Sequence, residues 1–174
     1  AWGKGILVSA APEILYAEDT NGDGKADLRK VLFSGFREGN QQHRMNGFEL
    51  GLDNWIYTAN GDSGGMIKST ATGKNVKING RDFRFRITGE IETLFNQTQF
   101  GLRRDDWGNW FGNNNPNWLW HVHLPMHYFA RNPHLCAKDS GKMLFNYPAS
   151  RRCFPISPPM ERPNGPNQYG NVTS

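Results

Sequence analysis

Short apolar runs separated by turn-forming residues constrain the fold of this chain more than any other feature of its sequence. The clearest runs are five or six residues long, carry β-branched and aromatic side chains, and cover residues 5–9, 13–17, 29–34, 55–59 and 83–87. Glycine, proline, asparagine or aspartate lies within three residues of the end of each run, as is typical of β-strands joined by turns. No stretch of about a dozen residues has a helical period, so the sequence predicts an all-β fold.

One hairpin is predicted in detail. Phe83, Phe85 and Ile87 alternate with two arginines, which indicates a strand that turns its aromatic and aliphatic side chains to one face. The segment 90–95 is a second strand, and Gly89 between the two supplies the positive φ of the turn.

Arrays of such short strands are typical of sandwiches, barrels and propellers. A weak recurrence of strand–turn–strand units favours a propeller, in which one blade takes about 40–50 residues. The 174 residues therefore predict a partial β-propeller of about three or four blades over residues 1–147, with a long Gly/Asn/Trp-rich loop at 105–117. Residues 148–174 are rich in proline and are predicted to be an irregular segment leading to a further blade. A closed ring would need more chain or a partner.

The charge of the chain is mild. The net charge is +4, the isoelectric point is near 9.2 and the basic residues are scattered, so we expect no nucleic-acid binding, which requires a basic stripe. No apolar run approaches the roughly 18 residues that a membrane-spanning helix needs. We therefore expect no membrane span.

The segment 19–27 has the spacing of a calcium-binding loop. Oxygen-bearing side chains stand at loop positions 1, 3, 5 and 9, namely Asp19, Asn21, Asp23 and Asp27. Gly24 at position 6 permits a sharp turn, and Lys25 at position 7 offers its carbonyl oxygen. Position 12 is Lys30 instead of the glutamate of an EF-hand. The sequence predicts a structural calcium site; the alternative is a solvated, asparagine- and aspartate-rich turn without metal.

The two cysteines, Cys136 and Cys153, are not in a metal- or haem-binding spacing. They are interpreted as a disulfide, because a calcium loop among Asn/Gly-rich turns fits an oxidising compartment; two free thiols are the alternative. The location expected from this is periplasmic or extracellular.

A histidine and an aspartate flank two neighbouring apolar runs, residues 48–52 and 55–59. His43 precedes the first run and Asp62 follows the second, and a hairpin brings such ends together at one rim of a sheet. A carboxylate beside an imidazole fixes its tautomer and raises its basicity, which suits a general base. A purely structural hydrogen bond that caps the hairpin is the alternative.

The segment 43–62 resembles part of the soluble quinoprotein glucose dehydrogenases and the related aldose sugar dehydrogenases. The spacing of Gly51, Asp53 and Tyr57 between His43 and Asp62 matches that family without gaps. The resemblance implies that the histidine takes the proton of a sugar or polyol hydroxyl, that the aspartate orients it, and that pyrroloquinoline quinone accepts the hydride.

Segments along nearly the whole chain, including 8–36, 43–65, 81–92 and 98–121, are similar to the propeller domain of membrane-bound dehydrogenases of planctomycetes. That family is exported and often carries a cytochrome c domain, so the resemblance implies a cytochrome c domain or another protein as partner. At the quinone site the quinoproteins have Gly-x-Arg-Asn-Pro, whereas this chain has Arg103 followed by Arg104 and Asp105. The resemblance places cofactor contacts on Arg103 and Arg104.

Two further expectations concern aromatic residues. His121, His123 and His127 are close in sequence, and two of them share a face if 118–124 is a strand; they are interpreted either as a metal site or as ordinary rim aromatics. Trp107, Trp110, Trp118 and Trp120 suit sugar stacking. A non-catalytic propeller that binds carbohydrate or protein, and a structural subunit that completes its sheets with another chain, therefore stand beside the enzyme hypothesis.

Overall fold

The structure, a computed structural model, is all-β, as the sequence predicts. The part of the chain that it describes consists of residues 2–94, 96–115, 117–123, 128, 131, 132, 134 and 141–144. Within these residues no helix is both long and apolar enough to cross a membrane. The proposed Cys136–Cys153 bridge, His127 and the segment 148–174 lie outside the described residues.

Three antiparallel sheets make up the fold. Sheet 1 has the order β1-β2-β3-β6-β7, with bounds Ile6–Ala10, Glu13–Glu18, Leu28–Phe36, Gly65–Ser69 and Asn75–Lys77. Sheet 2 has the order β4-β5-β8-β9, with bounds Asn46–Leu50, Ile56–Ala59, Phe83–Phe85 and Ile91–Thr93. Sheet 3 is the meander β10-β11-β12-β13, with bounds Arg103–Arg104, Trp110–Gly112, Trp120–Val122 and Gly141–Met143. A 3-10 turn, Gln41–His43, precedes β4.

The β6–β7 hairpin links the first two sheets. It lies between β5 and β8 in sequence, yet it pairs with β3 of sheet 1 through Phe33–Ser69 and Ser34–Lys68. The chain therefore leaves sheet 2 after β5, adds two strands to sheet 1 and returns for β8. The backbone of this segment therefore crosses from one sheet to the other and back.

An apolar core fills the space between sheets 1 and 2. Its buried side chains come from both sheets and from the segments beside them, namely Ile14, Leu32, Phe33, Phe36, Met45, Ile56, Ile67, Ile78, Phe83, Phe85 and Ile91. Phe33 of sheet 1 meets Phe85 of sheet 2 edge to face, with ring centroids 5.2 Å apart. Such pairs add about 0.5–1.5 kcal/mol beyond the burial of their surface.

A second core lies on the other face of sheet 2, where it meets sheet 3. It consists of Trp55, Tyr57, Ala59, Leu102 and Trp110. The Tyr57 and Trp110 rings stack with centroids 3.9 Å apart. Every residue of β5 is buried because this strand supplies alternate side chains to the two cores. Sheet 2 is thus the middle layer of three.

The predicted hairpin at 83–95 is present as β8 and β9, paired through Phe85–Ile91, Arg84–Glu92 and Phe83–Thr93. Phe83 and Phe85 are buried in the first core, whereas Ile87 is partly exposed. Ile87 differs from the expected pattern because β8 ends at Phe85 and the chain has already entered the turn.

Candidate functional site

His43 and Asp62 lie together at the rim of sheet 2. His43 ends the 3-10 turn before β4, and Asp62 follows β5, the antiparallel neighbour of β4. His43 Nδ1 is 3.7 Å from Asp62 Oδ2, and the two side chains are 28% and 34% exposed. The pair, which we call the His–Asp dyad, is therefore supported by protein and accessible to a ligand.

Gly61 makes this approach possible. Its φ is +71°, and a Cβ at this position would overlap the carbonyl oxygen of Arg44. The backbone N–H of Ser63 donates to the carbonyl oxygen of His43 at 3.1 Å, and the Ser63 hydroxyl donates to the same oxygen. The return strand is thereby held against the turn that carries the histidine.

Two glutamine side chains contact the two members of the dyad. Gln97 Nε2 donates to Asp62 Oδ1 at 2.6 Å, and Gln99 Nε2 lies 2.9 Å from His43 Nε2. Both come from the segment between β9 and β10, which is remote in sequence from His43. Sequence reasoning missed them, although the alternating Gln-x-Gln spacing places two amides on one side of an extended chain.

The other residues of the 43–62 motif have structural contacts. Asp53 Oδ2 accepts hydrogen bonds from Tyr57 Oη at 2.9 Å and from Arg84 Nη1 at 2.8 Å. Arg84 also pairs with Glu92 at 2.8 Å and lies 4.5 Å from the centroid of the Trp55 ring. Burial raises the pKa of Tyr57 to about 12, so this phenol stays neutral. Asp53 and Tyr57 thus stabilise the turn and the second core. The His–Asp dyad is therefore the part of the motif that we consider as a reactive site.

Asp82 is a fully buried carboxyl group that contacts the chain next to the dyad residues. Its Oδ1 accepts the backbone N–H groups of Asn60 at 2.9 Å and Thr98 at 2.8 Å, while Oδ2 has no hydrogen-bond partner. Burial raises its pKa to about 7, opposed by hydrogen bonds from Thr98 and Asn60 and reinforced by the charge of Asp62. Asp82 therefore supports the segments that carry Asp62 and the two glutamines.

An open cleft of about 820 Å³ lies next to the turn that carries His43, and its lining does not include His43 or Asp62 themselves. Gln42 and Arg44, the chain neighbours of His43, line it, as do Gln41 and Phe100. The described residues that line it include one guanidinium, that of Arg44, and no carboxylate. A volume of this size accommodates a small ligand, and the lining combines amides, one cation and an aromatic ring.

Arg103 and Arg104 are engaged elsewhere. Arg103 Nη1 pairs with Glu49 Oε2 on β4 at 3.0 Å, and its side chain is 60% exposed. Arg104 Nη1 donates to the carbonyl oxygen of Asp105 at 2.9 Å. Neither residue is among those that line the cleft.

The predicted calcium loop is closed by its own hydrogen bonds. Asp19 accepts the backbone N–H groups of Gly22 at 2.7 Å and Gly24 at 2.8 Å, and these bonds lower its pKa. Asp27 accepts both the N–H and the hydroxyl of Thr20, which lower its pKa in the same way.

The middle of the loop follows the same pattern. Asn21 Oδ1 accepts from Asp23 N at 3.0 Å, and Asp23 Oδ1 accepts from Lys25 N at 2.8 Å. Among the described residues, no group of three or more His, Cys, Asp or Glu side chains is positioned to hold a metal. The side-chain oxygens of the loop are therefore held by donors of the loop itself.

The remaining aromatic candidates are divided between core and surface. His121 stacks on Phe111 with ring centroids 5.1 Å apart. Trp110 is buried, whereas Trp107 is 85% and Trp118 41% exposed. Trp107 and Trp118 thus present rings to solvent, which Trp110 does not.

The fold and this site define an all-β protein of three packed antiparallel sheets, with a histidine–aspartate dyad at the rim of the middle one. A family model described as a domain of unknown function, DUF7133, matches residues 1–174, so the chain belongs to this family. No curated protein and no solved structure matches the chain.

Proposed function

We propose that this chain is a β-propeller module of an exported, quinoprotein-like sugar or alcohol dehydrogenase. The observation that carries the proposal is the His–Asp dyad beside the 820 Å³ cleft. A carboxylate-paired imidazole near a cleft that carries amide side chains suits a general base that removes a proton from a hydroxyl group. A cytochrome c domain or another protein would receive the electrons.

The packing of the sheets supports the propeller. Sheets 2 and 3 each have four antiparallel strands, sheet 1 has five, and sheet 2 packs against sheet 1 on one face and sheet 3 on the other. Blades of a propeller are small antiparallel sheets packed in that manner. We assign each sheet to one blade, which gives three blades in the described residues.

The residues of the cleft support a polar substrate. Gln41 and Gln42 can hydrogen-bond to hydroxyl groups, and Phe100 offers a ring for the apolar face of a sugar. His43 would accept the hydroxyl proton, while Asp62 would hold the imidazole and stabilise its charged form. Pyrroloquinoline quinone, when bound, would supply the hydride acceptor.

The fit to the quinone depends on Arg44. An anionic quinone needs cationic partners, and Arg44 is the guanidinium in the cleft lining. Arg103 and Arg104 do not line the cleft, and their side chains contact Glu49 and the Asp105 carbonyl oxygen. We therefore assign the carboxylate contact to Arg44 in place of the two arginines suggested by the sequence.

Calcium binding at 19–27 is part of the proposal. Asp19, Asp23 and Asp27 bring three carboxylates within nine residues, and Ca²⁺ prefers such oxygen ligands. Each oxygen that accepts a backbone N–H still has a lone pair for a cation. The ion would neutralise this charge and clamp the β2–β3 connection of sheet 1.

The test is quinone reconstitution of the chain with calcium, a sugar and a reducible dye. We expect dye reduction, and we expect His43→Gln to lose it by about 10²–10⁴-fold, the usual contribution of a general base. His134→Gln, the same change at an exposed histidine, is the matched control. Equal rates in His43→Gln and the unchanged chain would exclude the assigned base.

Carbohydrate binding without catalysis is the second candidate, and the exposed Trp107 ring favours it. A glycan array probed with the chain distinguishes the two candidates. Binding that is lost in Trp107→Ala and kept in His43→Gln supports the binding module, whereas binding that is lost in His43→Gln and kept in Trp107→Ala supports the dyad as the ligand site.

A further inference from the structure

The segment 97–99 reaches both members of the His–Asp dyad at once. Its side chains alternate, so Gln97 and Gln99 point to the dyad while Thr98 points into the interior and is fully buried. The backbone is fixed on both sides, because Thr98 O accepts from Gly61 N at 3.0 Å and Thr98 N donates to Asp82 Oδ1 at 2.8 Å. The two amides are therefore held by a rigid piece of chain.

The orientation of the Gln99 amide follows from a third contact. Gln99 Oε1 accepts the backbone N–H of Asn115 at 2.9 Å, so the opposite end of the amide, its NH₂ group, faces His43. An amide NH₂ only donates, whereas an imidazole nitrogen donates or accepts according to the tautomer. His43 Nε2 is consequently the acceptor, and the ring proton belongs on Nδ1.

The second glutamine directs the carboxylate toward that proton. Gln97 Nε2 holds Asp62 Oδ1 at 2.6 Å, which leaves Oδ2 turned to His43 Nδ1 at 3.7 Å. The Nδ1–H tautomer therefore agrees with both contacts of the ring. The other tautomer would set an N–H against the NH₂ of Gln99 and a bare nitrogen against a carboxylate.

We propose that Gln99 is the positioning residue of the dyad: its amide keeps His43 in the Nδ1–H tautomer, with the lone pair on Nε2. The tautomer itself follows from the contacts alone, and only its use as a base rests on the proposed function. In that function Nε2 is the nitrogen that receives the hydroxyl proton. Gln99 thus determines which ring nitrogen of His43 carries the lone pair.

The test reads the tautomer directly, by two-dimensional NMR of the chain labelled with ¹⁵N-histidine at a pH where the imidazole is neutral. We expect the Nδ1–H form in the unchanged chain. Gln99→Glu replaces the donor facing Nε2 with an acceptor and should move the proton to Nε2. Gln99→Ala should lower the ratio of Nδ1–H to Nε2–H by about fivefold, the population ratio that one ordinary hydrogen bond sustains.

Gln97→Ala is the matched control, because it removes an amide that contacts Asp62 and not the ring; we expect it to keep the Nδ1–H form. An Nε2–H resonance in the unchanged chain, or the same tautomer in the unchanged chain and both Gln99 variants, would overturn the proposal. The readout needs no quinone and no turnover. Absence of dye reduction in a chain with the expected tautomer would therefore refute the dehydrogenase and leave the role of Gln99 intact.

Discussion

Replacement of Asp82 by asparagine should stabilise this protein at neutral and alkaline pH. Burial raises the pKa of Asp82 from 3.8 to about 7, a rise of roughly 3 units at about 1.4 kcal/mol each. Ionised Asp82 in the folded state therefore costs up to about 4 kcal/mol relative to the unfolded chain. An asparagine keeps the oxygen that accepts the N–H groups of Asn60 and Thr98 and never ionises.

The direction in which stability changes with pH follows from the number of protons that Asp82 binds in the folded and unfolded states. Between pH 3.8 and about 7 the folded protein retains the Asp82 proton that the unfolded chain has lost. The contribution of Asp82 to stability is therefore complete below pH 3.8 and declines as the pH rises, until both states are ionised above about 7. The Asp62 charge contributes in the same direction.

Urea unfolding of the unchanged chain and Asp82→Asn, monitored by tryptophan fluorescence from pH 4 to pH 8.5, measures this difference. We expect the two proteins to agree within about 1 kcal/mol at pH 4, and the variant to be more stable by about 2–4 kcal/mol at pH 8. Asp106→Asn makes the same chemical change at an exposed site and is the control. If the difference in unfolding free energy between the unchanged chain and Asp82→Asn does not vary with pH, the assignment of a buried, protonated carboxyl group is refuted.

Three further predictions concern the turn, the core and the loop. Gly61→Ala should lower the free energy of unfolding by more than about 3 kcal/mol in chemical denaturation, because its Cβ would overlap Arg44 O. Gly22→Ala, at a similar φ with open space around it, should lower it by only about 1–2 kcal/mol; equal losses would contradict this reasoning. Phe85→Ala should cost about 3–5 kcal/mol, which the same denaturation measures, and a loss below about 1 kcal/mol would show that the core collapses around it. Calcium should raise the Tm in calorimetry and EGTA should reverse the rise, while Asp19→Ala should abolish the response; a Tm that ignores calcium would refute the loop site.

Much of the local structure followed from local patterns. Alternation and turn residues predicted the β8–β9 hairpin, since side-chain direction in a strand depends only on the parity of its positions. The same reasoning predicted that His43 and Asp62 lie near each other, because a hairpin returns its ends to one rim. The pattern failed at Ile87, where the strand ended earlier than its apolar sequence suggested.

Contacts between distant segments were beyond such reasoning. The residues of β6 and β7 carry no local pattern that indicates their addition to sheet 1 beside β3. The alternation of its strand places Arg84 on the face opposite Phe83 and Phe85, but it does not indicate what packs there. In the structure Arg84 lies over Trp55 with Asp53 and Glu92 as ion-pair partners. Burial on the second face of a sheet depends on which other sheet packs there. The sequence of the strand alone does not specify that sheet.

The sequence by itself determined that the chain forms short strands, that one hairpin presents an imidazole and a carboxylate at its ends, and that one loop concentrates oxygen atoms. Only the tertiary structure decided what surrounds the dyad: the Gln97 and Gln99 amides, the buried Asp82 and the cleft beside Arg44. The physical reason is that a hairpin closes through neighbouring residues, whereas these partners come from segments joined only by the packing of whole sheets.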